Sequence, residues 1–232
     1  MNQLVQEKKY AYKGWCFRMT TIVVPAIDKV KMGHSLCTTQ IIDSISQKNS
    51  DIAITTNNEI VAINKIMPFN KHSKSGDQVY FDLVAYPFFE RIHAAITVQE
   101  DKCGVLRFRR SGPSNESIGD LVVLSQLFGQ ITDVHHVNRE IEGMMHSIIL
   151  CRFGDQVIAH IEYTSSSSER IEFEFSSPHQ IIEFDSAENV PTNLHIHPKY
   201  SIDCILKFAT ELNDSLLDLL RHVELQLGGE GV

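Results

Sequence analysis

The segment MHSIILCRFGDQVIAHIEYT, residues 145–164, decides how the chain is organised. Gly154-Asp155 divides it into two runs rich in Ile, Val, Tyr and Thr. Two such runs about a two-residue Gly-Asp turn read as a hairpin of strands, Met145–Phe153 and Gln156–Thr164. Side chains alternate along a strand. Ile148, Leu150 and Phe153 therefore cannot all face the same way as Ile149 and Cys151, and both sets are apolar. Val157-Ile158-Ala159 repeats the pattern on its neighbour. The hairpin is expected to be covered on both faces.

Downstream, Ser165–Ser168 is a four-serine hairpin loop, and Arg170–Ser176 and Gln180–Asp185 continue the strands. Glu172, Phe173, Glu174 and Phe175 alternate charged with apolar, so this part of the sheet has one solvated face. A polar stretch then leads to Pro198. Lys199–Leu227 is an amphipathic helical region broken near Asn213-Asp214 and ended by Gly228, Gly229 and Gly231. Upstream, Ile131–Val137 is a strand, and Ser117–Phe128 is a helix stopped by Gly129. Val105–Arg110 is a strand after Gly104, Phe88–Val98 a helix after Pro87, and Gln78–Ala85 a strand.

The first 75 residues carry weaker patterns. Trp15–Ala26 reads as a strand, Ser35–Gln47 as a short helix, and Asp51–Thr56 and Glu59–Ile66 as two short strands. The polar run from Asn70 to Asp77 is a loop and a domain boundary. Residues 1–75 then form a small α/β segment and residues 76–232 the main domain. The fold class is α+β: an open, mixed, mainly antiparallel sheet with helices on one face, preceded by a small α/β remnant.

Bulk properties exclude several roles. The net charge is −8, and the densest basic run, Arg107-Phe108-Arg109-Arg110, lies at a strand end. A nucleic-acid partner would need a wider basic surface. Five scattered Cys without a C-x-x-C pair suit free thiols in the cytoplasm. The first residues lack the apolar core of a signal peptide, and no run of apolar residues is long enough to span a membrane. His195-Ile196-His197 has metal-ligand spacing but no third ligand at a fitted offset, and His135-His136 alternates faces. No metal site is expected, and no G-x-S-x-G supports a serine nucleophile.

The stretches Val79-Tyr80-Phe81-Asp82-Leu83 to Gly104-Val105-Leu106-Arg107, Asp120–Gly129 with its Leu-Phe-Gly end, and Cys151–Ala159 occur in a telling order. Together with Ile171–Glu174 and Ile182–Asp185 they resemble the carboxy-terminal substrate domain of the Gfo/Idh/MocA oxidoreductases, the glucose–fructose oxidoreductase and inositol dehydrogenase family. The resemblance covers about two thirds of the chain. It implies a nicotinamide-dependent oxidoreductase acting on a sugar or polyol, with an open sheet face that joins subunits.

The same resemblance locates departures. The family's helix ending in L-F-G begins with D-x-G-x-H-D, whose His and Asp take part in proton transfer. Setting Asp120 on the last Asp places Gly119 at the His and Asn115 at the first Asp. Glycine and an amide cannot move that proton. The G-x-G-x-x-G turn that binds the dinucleotide and the family's E-K-P lysine motif are absent, so the cofactor domain is expected to be truncated or lost. No cofactor is therefore expected, and NAD or NADP enters only if the alternative holds. That alternative is an oxidoreductase with a degenerate or partner-supplied nucleotide domain, its cleft holding Arg107, Arg109, Glu116 and Asp120, with Arg110 beside them. The leading expectation is a catalytically impaired relative that acts through oligomerisation, as a homodimer on the open sheet face or with a full-length oxidoreductase, or through a sugar-like ligand.

Overall fold

The computed structural model describes residues 20–24, 30–31, 39–43, 64–70, 72–99, 101–112, 117–187 and 199–228. The segments read as Asp51–Thr56 and His195–His197 lie outside them. Two sheets organise these residues, with a further short pair between β2 (Val30–Lys31) and β12 (Tyr200–Ser201).

The first sheet holds β1 (Thr20–Val24), β3 (Thr39–Asp43), β4 (Asn64–Pro68) and β5 (Gln78–Tyr80), closed at one edge by β13 (Thr210–Glu211). Its order is β13-β5-β4-β1-β3. The first four strands are mutually parallel, and β13 is antiparallel to β5. The expected helix over Ser35–Gln47 is not formed across Thr39–Asp43, which is a strand. The spacing of Leu36, Ile41, Ile42 and Ile45 fits a helix, but Thr39, Ile41 and Ile42 are β-branched and pair with β1. Pairing also runs across the boundary expected at 75/76, since β5 lies beside β4 of the first segment and β13 joins the same sheet through β5.

The expected strand Gln78–Ala85 ends at Tyr80. Asp82–Ala85 is a 3-10 turn, with Leu83 and Ala85 fully buried. This tight turn carries the chain from one sheet to the helices and turns Asp82 toward partners beneath the second sheet. Helix α1 (Pro87–Thr97) starts on Pro87, where a missing N–H costs nothing.

The second sheet comprises β6 (Gly104–Gly112), β7 (Ile131–Ile141), β8 (Met144–Phe153), β9 (Val157–Ser165), β10 (Arg170–Ser176) and β11 (Ile181–Asp185). Its order is β11-β10-β6-β9-β8-β7. Every pair is antiparallel except β6 with β9. That parallel pair needs a crossover. Helix α2 (Ser117–Phe128) and the β7–β8 hairpin supply it. The fold is thus α+β with a mixed, mainly antiparallel sheet.

Helix α2 is buried almost all round, from Asp120 through Ser125 and again at Leu127 and Phe128. It lies over the inner sheet face, where Leu106, Phe108, Ile149, Phe153, Ile161 and Phe173 join its leucines in one core. After β12 the chain makes α3 (Ile202–Phe208), capped by Ser201, and α4 (Asp214–Gln226), capped by Asn213. The break expected near Asn213-Asp214 is present, but it encloses β13, which periodicity did not reveal.

The two turn glycines that punctuate the sequence meet in space. Gly129, at φ 110°, ends α2, and Gly154, at φ 55°, turns β8 into β9. A Cβ on Gly129 would lie 3.0 Å from Gly154 Cα, and one on Gly154 3.0 Å from Phe128 O. Positive φ and backbone contact both demand glycine here. The end of the central helix therefore rests directly on the hairpin turn.

In the single chain the outer sheet face is partly open while the inner face is buried. Leu150 is 48% exposed and Ile158 55%, whereas Ile149, Phe153 and Ala159 are fully buried. By register, Val105, Ile158, Leu150, Ile148 and Val137 form a diagonal apolar stripe over β6, β9, β8 and β7. Beside it stand charged side chains, with Arg107 opposite Glu174 and Arg109 between Glu172 and Glu162. Among the described residues no helix is long and apolar enough to cross a membrane.

Candidate functional site

Alternation along β6 separates the three arginines. Arg107 and Arg109 point outward, while Arg110 shares the inner parity of Leu106 and Phe108. Arg110 is only 6% exposed and Asp120, in the first turn of α2, is wholly buried. Arg110 Nη1 donates to both Asp120 oxygens, at 2.9 and 3.0 Å. Its Nη2 donates to Asp82 and, at 3.4 Å, to Glu169 from the β9–β10 loop. Two phenols complete the group: Tyr86 donates to Glu169 at 2.8 Å, and Tyr200 donates to Asp82. Five side chains from four segments thus gather about one guanidinium, three carboxylates in contact with it and two phenols behind them.

The electrostatics follow from this count. One cation faces three carboxylates in a space nearly closed to water. Burial alone pulls the Arg110 pKa down, but Asp120, followed by Asp82, reverses this and holds it well above the ordinary value. Burial first, and then the Asp82 charge, pushes the Tyr86 and Tyr200 phenols upward. Both remain protonated donors at neutral pH. An ion cluster of this kind is costly to bury and costly to break. Its donors are spent on protein acceptors, so it holds segments together and offers no free base at Asp120.

The sequence-derived site residues separate accordingly. Asp120 joins Arg110, and Asn115 and Glu116 lie outside the described residues. Gly119 lies against Phe81, and a Cβ there would be 3.3 Å from the Phe81 ring. Arg107 and Arg109 do not share a cleft with Asp120. They lie on the outer face, where Arg107 meets Glu174 at 3.2 Å and Arg109 meets Glu162 at 3.4 Å and Glu172 at 3.5 Å. They line a depression of about 250 Å3 with Glu183 and Asp185. Strand parity is the physical reason for this correction: Arg110, one residue on, takes the inward place.

Asp82, Glu169, Tyr86 and Tyr200 were not found from sequence. Asp82 had a signal, as the one charge in the apolar run Val79–Tyr86. Glu169 sits in a polar loop and had none. His136 bridges Leu227 O at 3.1 Å and Ser147 Oγ at 2.9 Å, while His135 points to the other face. Among the described residues no three His, Cys, Asp or Glu side chains are grouped to hold a metal.

No protein-family model matches the chain, and no curated protein matches it in sequence. Solved structures do. A myo-inositol dehydrogenase from Corynebacterium glutamicum ATCC 13032 superposes with a TM-score of 0.51 at 12% identity, over 90% of this chain and 86% of that one. GenD2 from gentamicin A biosynthesis, solved with NAD, gives 0.50 at 9% identity, over 97% and 91%. For the WlbA (WbpB) dehydrogenase from Thermus thermophilus the score is 0.40 at 11% identity, over 66% of this chain. The chain spans 56% of the length of that dehydrogenase. At such identities the likeness concerns architecture alone. A parallel strand layer joined to a mixed sheet under a buried helix gives this chain a Gfo/Idh/MocA-like fold.

Proposed function

We propose that this chain is a catalytically impaired relative of the oxidoreductases whose fold it shares, and that it works as a pair of chains joined through the outer sheet face. The observation that carries the first half is Asp120. It is the only described carboxylate at the position the resemblance assigns to proton transfer, and both its oxygens are taken by Arg110. Gly119, at the histidine position, supplies no ring, and Phe81 crowds the space a side chain would enter.

The second half rests on the outer face. Its apolar stripe is bordered by interleaved charges of both signs, Arg107, Arg109 and Arg170 against Glu162, Glu172, Glu174 and Asp185. A two-fold rotation brings such a face against its own complement. A second copy therefore suits it better than a partner of single charge. Light scattering after size exclusion is expected to give a dimer, and Leu150→Glu with Ile158→Glu a folded monomer. A monomeric wild type at micromolar concentration overturns the pairing. Titration with NADH and NADPH tests the impairment: micromolar binding, with turnover of myo-inositol, overturns it.

The second reading is a working oxidoreductase on a sugar or polyol, with NAD or NADP held by a degenerate or partner-supplied nucleotide layer. Four parallel strands in the order β5-β4-β1-β3 favour it, because parallel layers of this kind carry nucleotides in other proteins. Thermal shift with polyols and sugar acids, read beside turnover, separates the two.

A further inference from the structure

Three of the eleven histidines stand on the outer sheet face. Strand parity puts them there: His135 on β7, His146 on β8 and His160 on β9 share the side of Leu150 and Ile158. His160 and His135 are the two register neighbours of Leu150, one on each flanking strand. His146 follows on β8, two positions from Ile148. The middle of the apolar stripe is thus bracketed by imidazoles, whichever way a second copy is turned about it.

The charges that face these rings are largely matched among themselves. His160 has Arg107 as its register neighbour on β6, and Arg107 is held by Glu174 at 3.2 Å. Further along β9, Glu162 lies 3.3 Å from the Nε2 of His160 and 3.8 Å from that of His146. Its one charge is already shared with Arg109 at 3.4 Å. His146 has Thr164 and Arg139 as register neighbours on β9 and β7. On β8 the charge diagonal to His135 is Arg152, paired with Asp133 at 3.4 Å. Arg170, Glu172, Asp185 and Glu183 stand on the same face over β10 and β11. Five arginines thus meet six carboxylates, a balance of −1 on each chain, and three imidazoliums turn it to +2.

Imidazole is the side chain whose ordinary pKa lies between pH 5 and 8. Pressed against a second apolar stripe, an imidazolium loses its hydration, and the single carboxylate within reach serves Arg109 as well. Two faces that have both turned positive also repel each other. Both effects oppose pairing in acid. We propose that the two chains are released from one another by protonation of His135, His146 and His160. This rests on the pairing through the outer face and adds its regulation. Held neutral in the pair, the rings favour association above the free imidazole pKa, and the pair weakens as pH falls through it. Each ring whose pKa is about one unit lower in the pair than in the free chain raises Kd by up to about tenfold.

Sedimentation velocity on the full chain at about pH 8 and about pH 6, on either side of the imidazole range, measures Kd at both, with circular dichroism to show that the fold is kept. Kd is expected to rise by about tenfold or more at the lower pH. His135→Gln, His146→Gln and His160→Gln together keep polar side chains that cannot titrate, and in that variant the ratio of the two Kd values is expected to fall below about threefold. His72→Gln, in the exposed loop before β5, is expected to keep the wild-type ratio. A pair equally tight at both pH values, or tighter at the lower one, overturns the switch and leaves the pairing. A ratio that survives the triple substitution overturns the switch as well, because other groups then titrate. If the triple variant does not pair, His135→Gln and His160→Gln are read singly, and an unchanged ratio in both overturns it. A wild type that is a single chain at both pH values overturns the pairing itself, and the switch with it.

Discussion

In Arg110→Met the buried guanidinium is exchanged for an apolar chain of similar reach, while Asp82, Asp120 and Glu169 stay in place. Their side chains are 11%, 1% and 4% exposed. Removing one partner of a buried ion pair costs about 3–5 kcal/mol, because the other charge is left without compensation. Here three carboxylates lose the same cation, so the upper end applies. For a chain of this size each kcal/mol moves the midpoint by about 2–4 °C, giving a fall of about 10–20 °C. Adding Asp120→Asn and Glu169→Gln to Arg110→Met removes two of the stranded charges and is expected to recover part of the loss. Thermal and urea unfolding at neutral pH, followed by circular dichroism, measure both effects. A variant within about 1 kcal/mol of wild type at neutral pH, well below the cost of breaking a buried pair, refutes the account of a closed ion cluster.

Tyr86 and Tyr200 have folded pKa values raised above the unfolded value of about 10. The stability this confers is complete below that value and is lost as pH rises through it. Urea midpoints should therefore fall above pH ~10, and less steeply in Tyr200→Phe; parallel curves would count against the linkage. Burial pushes the Cys151 thiol up to about 12. It should resist thiol reagents in the native protein at neutral pH and react in urea, as peptide mass spectrometry would report. Gly104→Ala places a Cβ 2.3 Å from Ser176 O. Strands β6 and β10 must part at that end, at about 1–3 kcal/mol by urea unfolding; a neutral result would mean the strands have slack there.

What could be read from sequence follows the strength of local patterns. Ser117–Phe128 and Arg170–Ser176 were delimited as they stand, one by a full helical face and a glycine stop, the other by strict alternation. Thr39–Asp43 was misjudged because four apolar residues fit a helix as well as a strand, and only pairing with β1 decides between them. Thr210–Glu211 is too short for any period to show. For the site, the sequence points to Asp120 but sets Arg107 and Arg109 beside Arg110. One residue of parity separates the two outcomes, and composition does not record parity. The partners Glu169 and Tyr200 come from positions 49 and 80 residues beyond Asp120 in sequence, where no local pattern marks them.

Thr210 pairs with Val79 and Glu211 with Gln78, and Leu212 N reaches Asp77 O at 2.8 Å. The strand that seals this edge of the parallel sheet therefore follows its partner by 210 − 79 = 131 positions. At translation rates of 5–20 residues per second, β5 waits on the order of ten seconds for it. Through that interval its outward N–H and C=O groups stay open to any passing strand. The interval belongs to the nascent chain on the ribosome, where neighbouring copies on one message are concentrated. Protection of this edge arrives only with Thr210, and a ribosome stalled before it leaves the sheet with an unpaired border.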